Sequence, residues 1–288
     1  RISIYFNDCI VFFWRGTDED DAPYTYQDGS PIRNASGAYG GKTTVCQAIA
    51  DSVNVVALRC FHEMGIDSTF SMLQEFGFAH LTDEDRVEAL ALGGTHGGVT
   101  NLELTAAYSA IANEGIYLAP SYYTKVLDRE GRMLLSKAPV EHEVIRSATA
   151  ALLTKAMERV MTDGTGVKAA FSGMALAGKS GTTTEMKDVW FVGFSPYYAC
   201  GVWGGYDDFS AQTSGSYVKN VWRAIMQQVH ENLPYKGFSG AETLSAAEIC
   251  TKCGNLAVTG MCEDTVQGNV TQMEYYEPGT EPTEACIC

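Results

Sequence analysis

The sequence predicts an α/β chain of the α+β type, an antiparallel sheet flanked by helices. Three observations carry this. Thr44 with Gln47, and Thr100 with Glu103, have the spacing of helix N-terminal capping boxes, and each opens an apolar run at helical period. Three apolar, strand-like runs follow over 174–182, 188–194 and 198–206, separated by Gly and Pro. An amphipathic run then closes the pattern over 216–232 and stops before Pro234. Helices first, strands next and a closing helix predict a sheet covered by helices.

Taken in order, residues 1–21 show no clear period. Residues 22–41 carry Pro23, Asp28-Gly29, Pro31, Asn34, Ser36-Gly37 and Gly40-Gly41, which is the chemistry of an extended loop. From Thr44 the apolar positions Cys46, Ile49, Ala50 and Val53 repeat at helical spacing, and the stretch continues to Met64 and ends at Gly65. Pattern alone leaves open one helix or two broken at Ser52-Val53-Asn54. Asp83-Glu84-Asp85 reads as the first turn of a helix, where acids suit the dipole. The helix opened by Thr100 ends before Gly115, and Tyr122 to Leu135 reads as a hairpin about Asp128-Arg129-Glu130-Gly131. Ser147 is predicted to cap a helix with Leu153, Ala156, Met157 and Val160 on one face, ending at Gly164-Thr165-Gly166. In the closing helix Val218, Val221, Trp222, Ile225 and Val229 form the apolar set. From Ser239 the composition shifts to Gly, Thr, Glu and Cys. The predicted organisation is thus an atypical segment at 1–21, a main domain at 22–238 and a Cys-rich tail at 239–288.

Apolar residues make up 45% of the chain and charged residues 19%, which excludes a disordered segment. Lys and Arg total 20 against 35 Asp and Glu, a net charge of -15. Such a surface repels phosphate backbones, so no nucleic-acid partner is expected. Ile10-Val11-Phe12-Phe13-Trp14 is too short to span a bilayer, and the chain opens on Arg1, so the expectation is that residues precede it.

Of nine cysteines, Cys250, Cys253, Cys262, Cys286 and Cys288 crowd the tail. In a cytosolic protein Cys250-x-x-Cys253 would suggest zinc. Cys286-x-Cys288 has the wrong spacing for the second half of such a site and no His lies nearby, so a disulfide-stapled tail on the oxidising side of a membrane is the preferred reading. Cys9, Cys46, Cys60 and Cys200 are expected as small buried hydrophobes. The five histidines lack metal-ligand spacing, and neither a metal nor a cofactor is expected.

Two clusters could do chemistry. Ser52-Val53-Asn54 places a hydroxyl and an amide two positions apart at a helix end; alone, such a triplet is most often a turn or cap. Lys179-Ser180-Gly181-Thr182-Thr183 places an ammonium and hydroxyls at the end of an apolar strand. Side chains alternate along a strand, so Ser180 and Thr182 share a face, and Gly181 lets a ligand approach the backbone. An ammonium, two hydroxyls and backbone N–H groups suit a carboxylate or an oxyanion. The same stretch, Gly173 to Ser180, also spells the phosphate-loop pattern G-x-x-x-x-G-K-S. That motif needs a helix beginning at the lysine. Here the intervening residues are strand-like and Ser-Gly-Thr-Thr follows, so nucleotide binding is set aside.

With these two clusters the chain resembles the transpeptidase domain of class A, bifunctional penicillin-binding proteins of Gram-positive bacteria. The resemblance runs from Asp21 to the C-terminus. It includes Ala48 to Asn54, Leu92-Gly93-Gly94 with Gly98 to Glu103, Asn113-Glu114-Gly115, Asp163-Gly164-Thr165-Gly166, Ala177 to Thr183, Lys187 to Pro196, and the tail segment Pro278 to Thr283 with Cys286. It implies a β-lactamase/transpeptidase-like fold and a peptidoglycan D,D-transpeptidase. In such an enzyme a serine of a Ser-x-x-Lys motif attacks the penultimate D-alanine carbonyl of a stem peptide, and a neighbouring amine then takes the acyl group. The implied partners are D-Ala-D-Ala stem peptides and β-lactams. By resemblance Ser52 relays a proton to the leaving group and Asn54 holds a substrate amide. Lys179 orders Ser52, Ser180 and Thr182 bind the substrate carboxylate with Thr183 beside them, and the Thr182 N–H serves the oxyanion hole.

The sequence departs from the family pattern at the nucleophile. Residues 1–21 contain no Ser-x-x-Lys, and the only match in the chain, Ser216-Tyr217-Val218-Lys219, opens the closing helix and is not expected to attack. The expectation is a chain lacking its N-terminal part and therefore inactive by itself, with a glycosyltransferase domain and an extracytoplasmic membrane anchor upstream. Two rivals stand beside it: a non-catalytic wall-peptide-binding module, and a D,D-carboxypeptidase or β-lactamase-like hydrolase that passes the acyl group to water.

Overall fold

The computed structural model describes residues 19–266 and 268–287. The apolar run at 10–14, Cys9 and Cys288 lie outside the described residues. Among the described residues no helix is long and apolar enough to cross a membrane.

The first strands, β1 (Glu19–Asp21) and β2 (Gly41–Thr43), pair antiparallel across the turn-rich loop. Asp21 organises that loop: its buried carboxylate accepts from Asn34 Nδ2 at 2.6 Å and from the Gly40 N–H at 2.7 Å. Three helices follow, α1 (Val45–Asp51), α2 (Asn54–Met64) and α3 (Ile66–Glu75). Thr44 caps α1, its hydroxyl accepting the Gln47 N–H at 3.1 Å. Gln47 does not complete a capping box, because its side chain bonds to Asp51 and Arg159 instead. The chain is broken between α1 and α2 by Ser52, which takes the left-handed conformation (φ 60°, ψ 48°). The open choice at this point therefore resolves to two helices.

At Thr100 the capping box is reciprocal and opens α4 (Asn101–Ala112). Asp83-Glu84-Asp85, read as a helix start, forms only one 3-10 turn, closed by Thr82 and Asp85 on each other. Small strands β3 (Ile116–Leu118), β4 (Lys125–Leu127), β5 (Met133–Ser136) and β6 (Glu141–Glu143) make two ribbons, β3–β6 and the expected hairpin β4–β5. Helix α5 (Ser147–Thr162) begins at Ser147 rather than after it; the N-cap position is Arg146.

The central sheet is antiparallel in the order β7 (Ala177–Thr182), β8 (Asp188–Phe194), β9 (Ala199–Gly205). Register pairs Lys179 with Val192 and Ser180 with Phe191, and paired residues share a face. On one face Ala177, Val192 and Phe194 join the main core with α1, α4 and α5. On the other, Val189 and Phe191 pack with Val218, Trp222 and Met226 of α6 (Tyr217–His230). Trp222 is fully buried, edge-on to Phe191 with ring centroids 5.2 Å apart, and donates to the Cys200 carbonyl. The expected apolar face of α6 is narrower than its hydrophobic residues suggested. Val218, Trp222, Met226 and His230, four apart, form the buried seam, while Val221, Ile225 and Val229 flank it in solvent.

Past residue 239, β10 (Ser245–Cys250) and β11 (Thr271–Tyr276) pair as a ribbon whose Ile249 and Tyr276 enter the main core. The expectation of a disulfide-stapled tail is corrected here: Cys250, Cys253, Cys262 and Cys286 stand as thiols. The sulfurs of Cys250, Cys253 and Cys286 lie within 4.8 Å of one another. Cys46 and Cys60 are buried as expected, and Cys200 is half-buried.

Candidate functional site

The site is built where the end of α1 meets β7. Ser52 is held by its own backbone, the N–H reaching the Ala48 and Ile49 carbonyls in a left-handed helix end. This turns its hydroxyl away from the α1 axis toward the sheet. Lys179, on the core face of β7 and 2% exposed, donates to Ser52 Oγ at 2.7 Å and to the Ser180 carbonyl at 3.3 Å. Burial pulls the Lys179 ammonium down to about 7, with the nearby Lys219 charge acting in the same direction.

Ser180 and Thr182 project to the opposite face. There they line a cleft of about 400 Å³ with Thr165, Lys168, Trp190, Ser216 and Lys219. The Ser180 hydroxyl donates to Thr165 Oγ1 at 2.9 Å. Lys219 is itself half-buried among cations, its ammonium lowered by burial and then by Lys168. A chain of net charge -15 thus places two ammonium groups, Lys168 and Lys219, in the cleft beside the Ser180 and Thr182 hydroxyls. Cations and hydroxyls together suit an anion such as a carboxylate.

The wall carrying Thr165 is fixed by a close approach. After α5 the turn Asp163-Gly164-Thr165-Gly166 meets the end of α1, where the Thr165 N–H donates to the Ala50 carbonyl at 3.1 Å. A Cβ on Gly164 would lie 2.5 Å from the same carbonyl oxygen, so only glycine fits. The turn beside Ser180 and the turn holding Ser52 are therefore one locked unit.

Not every expected residue faces this cleft. Asn54 is the first residue of α2, and its amide donates to the Arg33 carbonyl at 2.7 Å. Thr183 sits where β7 turns into β8; its hydroxyl accepts the Asp188 N–H at 2.8 Å. Thr183 lines a second, larger cleft of about 790 Å³, walled by Leu90, Leu104, Trp203 and Phe209 and sharing Trp190 with the first. Ser216 Oγ lies 3.3 Å from Ser214 Oγ. Lys179 and Ser180 lie mid-strand, paired with β8, which excludes the helix start that a phosphate loop needs. Sequence reasoning missed Thr165, Lys168 and Lys219 as cleft residues. The 163–166 turn was visible as a motif, but nothing local tells that it folds beside β7.

The profile of the penicillin binding protein transpeptidase domain matches residues 13–227, and the chain belongs to that family. Among curated relatives, penicillin-binding protein 1A of Clostridium botulinum (strain Langeland, type F) is 34% identical over 267 residues, covering 90% of this chain and 32% of that protein. Penicillin-binding protein 1A of Clostridium tetani is 32% identical over 301 residues, covering 98% of this chain and 36% of that protein. The chain thus spans about a third of the length of these relatives. The crystal structure of penicillin-binding protein 1A from Haemophilus influenzae superposes with a TM-score of 0.80 at 22% identity, over 99% of this chain and 49% of that one. PonA1 from Mycobacterium tuberculosis in complex with penicillin V gives 0.68 at 22% identity, over 82% and 72% of the two chains. The expected transpeptidase-like α+β fold is borne out.

Proposed function

We propose that this chain is the acyl-transfer unit of a peptidoglycan D,D-transpeptidase, working on D-Ala-D-Ala stem peptides and acylated by β-lactams in their place. The observation that carries the reading is the 2.7 Å bond from buried Lys179 to Ser52. In acyl transfer an attacking serine adds to the penultimate carbonyl, the carbonyl oxygen becomes an oxyanion, and the departing D-alanine nitrogen must gain a proton. The Ser52 hydroxyl can hand over its proton and recover one from Lys179, whose pKa near 7 lets it hold or release a proton at neutral pH. Ser180 and Thr182, backed by Lys219 and Lys168, take the terminal carboxylate, and the Thr182 N–H points to the oxyanion. Asn54 holds the substrate amide once its bond to Arg33 is exchanged for it.

The attacking serine belongs to a Ser-x-x-Lys segment other than Ser216-x-x-Lys219, so the 288 residues by themselves do not acylate. In the whole protein a glycosyltransferase domain and an extracytoplasmic membrane anchor complete the synthase. The test is labelling with a fluorescent penicillin. The 288-residue chain should take up no covalent label, and the protein carrying its Ser-x-x-Lys segment should be labelled and should lose at least about 100-fold in acylation rate on Ser52→Ala. Covalent labelling of the 288-residue chain that vanishes on Ser216→Ala would sink this assignment and make Ser216 the nucleophile.

A further inference from the structure

The far end of the tail has a core made almost entirely of sulfur. Its buried apolar residues are Cys250, Cys262 and Cys286, with only Cys253, Ala257, Val258 and Val270 packed at the margin. Among the described residues no aromatic ring or large aliphatic side chain belongs to it. So small a cluster buries too little apolar surface to hold its loops, and segments of this kind need a covalent or metal staple.

The backbone presents the sulfurs together. Cys250-Thr251-Lys252-Cys253-Gly254 folds as a tight knuckle, with the Cys253 and Gly254 N–H groups both donating to the Cys250 carbonyl at 3.3 and 2.8 Å. Gly254 closes it at φ +72°, where a side chain would be strained. Cys286 arrives from the last segment, its N–H bonded to the Leu256 carbonyl at 2.8 Å. The sulfurs of Cys250, Cys253 and Cys286 all lie within 4.8 Å of one another. A tetrahedral zinc–thiolate centre has sulfurs about 3.8 Å apart, given zinc–sulfur bonds near 2.3 Å. Cys262 comes from a third segment, is buried in the same cluster as Cys250 and Cys286, and accepts the Val258 N–H on its sulfur at 3.4 Å. An N–H···S bond of that kind stabilises a thiolate ligand.

We propose that Cys250, Cys253, Cys262 and Cys286 form a closed, structural four-cysteine site for one zinc ion, which holds the tail's distal loops. Binding exchanges four S–H bonds for four zinc–sulfur bonds and releases the thiol protons to solvent, with no change in oxidation state. The −2 charge of the filled site is partly offset by Lys252 inside the knuckle.

The full 288-residue chain, purified under reducing conditions without chelator, is analysed for metals. The expected content is about one zinc per chain, and titration with a mercurial should release it as about four thiols react. Exchange with cobalt should give intense visible bands and the thiolate-to-metal charge-transfer bands of a tetrahedral sulfur site. Cys262→Ser and Cys286→Ser should each lose zinc to near background, while Cys200→Ser keeps it. Because zinc release and the cobalt spectrum are read on the unsubstituted chain, a misfolded variant leaves the test intact. Metal-free protein, an iron–sulfur spectrum, or disulfides mapped among these four cysteines would overturn the proposal.

Discussion

Lys179 and Ser52 are 127 positions apart in the chain, and their side chains meet at 2.7 Å. The contact is made in a setting that penalises charge, since Lys179 is 2% exposed. The same burial that brings the ammonium to the hydroxyl makes its proton easy to lose.

A pH dependence of stability follows from that burial. Lys179 titrates at about 7 in the fold against 10.5 unfolded, so between those values the unfolded chain binds the extra proton. Stability therefore rises with pH across this window, by up to about 1.4 kcal/mol per unit from this group. Below pH 7 both states are protonated and the cost of the buried charge is fully present; above 10.5 it is absent. Lys179→Met should remove this slope, as measured by urea unfolding of both proteins across the pH series.

Lys219 should act on Lys179 through charge. With Lys219→Met one depressing influence is gone, so the Lys179 pKa should move up toward its ordinary value, read from the nitrogen shift of the labelled lysine. Under the proposed function, affinity for a D-alanyl-D-alanine peptide should fall by about tenfold as one cation leaves the Ser180–Thr182 cleft. An unmoved Lys179 pKa would show that burial alone sets it.

Gly164→Ala tests the lock between the two turns. The added Cβ meets backbone, the Ala50 carbonyl oxygen at 2.5 Å, so neither side can yield cheaply. A loss of about 2–3 kcal/mol in denaturant unfolding is expected, with the Thr165–Ser180 contact disturbed. Gly237→Ala, where a Cβ would meet nothing within 4 Å, should stay within about 0.5 kcal/mol.

The two sides of α6 should respond differently. Trp222→Ala empties a fully buried site and breaks the bond to Cys200, so a loss of about 3–5 kcal/mol is expected. Val229→Ser, at a residue 46% exposed, should cost less than about 0.5 kcal/mol. Thermal unfolding of both variants checks the contrast.

Much of this molecule was legible in its residues because the signals are local. Caps at Thr44 and Thr100 and the strand runs at β7, β8 and β9 depend on hydrogen bonds and periodicity within a few positions. The two polar clusters could likewise be named, since Ser52 ends a helix and Lys179 interrupts an apolar strand. α3 has no forecast counterpart, although Ile66, Phe70 and Leu73 repeat at helical spacing in it.

Sequence by itself determined the caps at Thr44 and Thr100, the three strand runs of the central sheet, and which short segments carry groups able to move a proton or bind an anion. Tertiary packing alone decided that Lys168 and Lys219 join Ser180, that α6 buries Met226 and His230 while Ile225 stays in solvent, and that the sulfur of Cys286 comes within 4.8 Å of those of Cys250 and Cys253. Local hydrogen bonding and side-chain alternation act over a few residues and can be read along a chain. Which faces meet is set by burying apolar surface between segments far apart, and no short pattern records that choice.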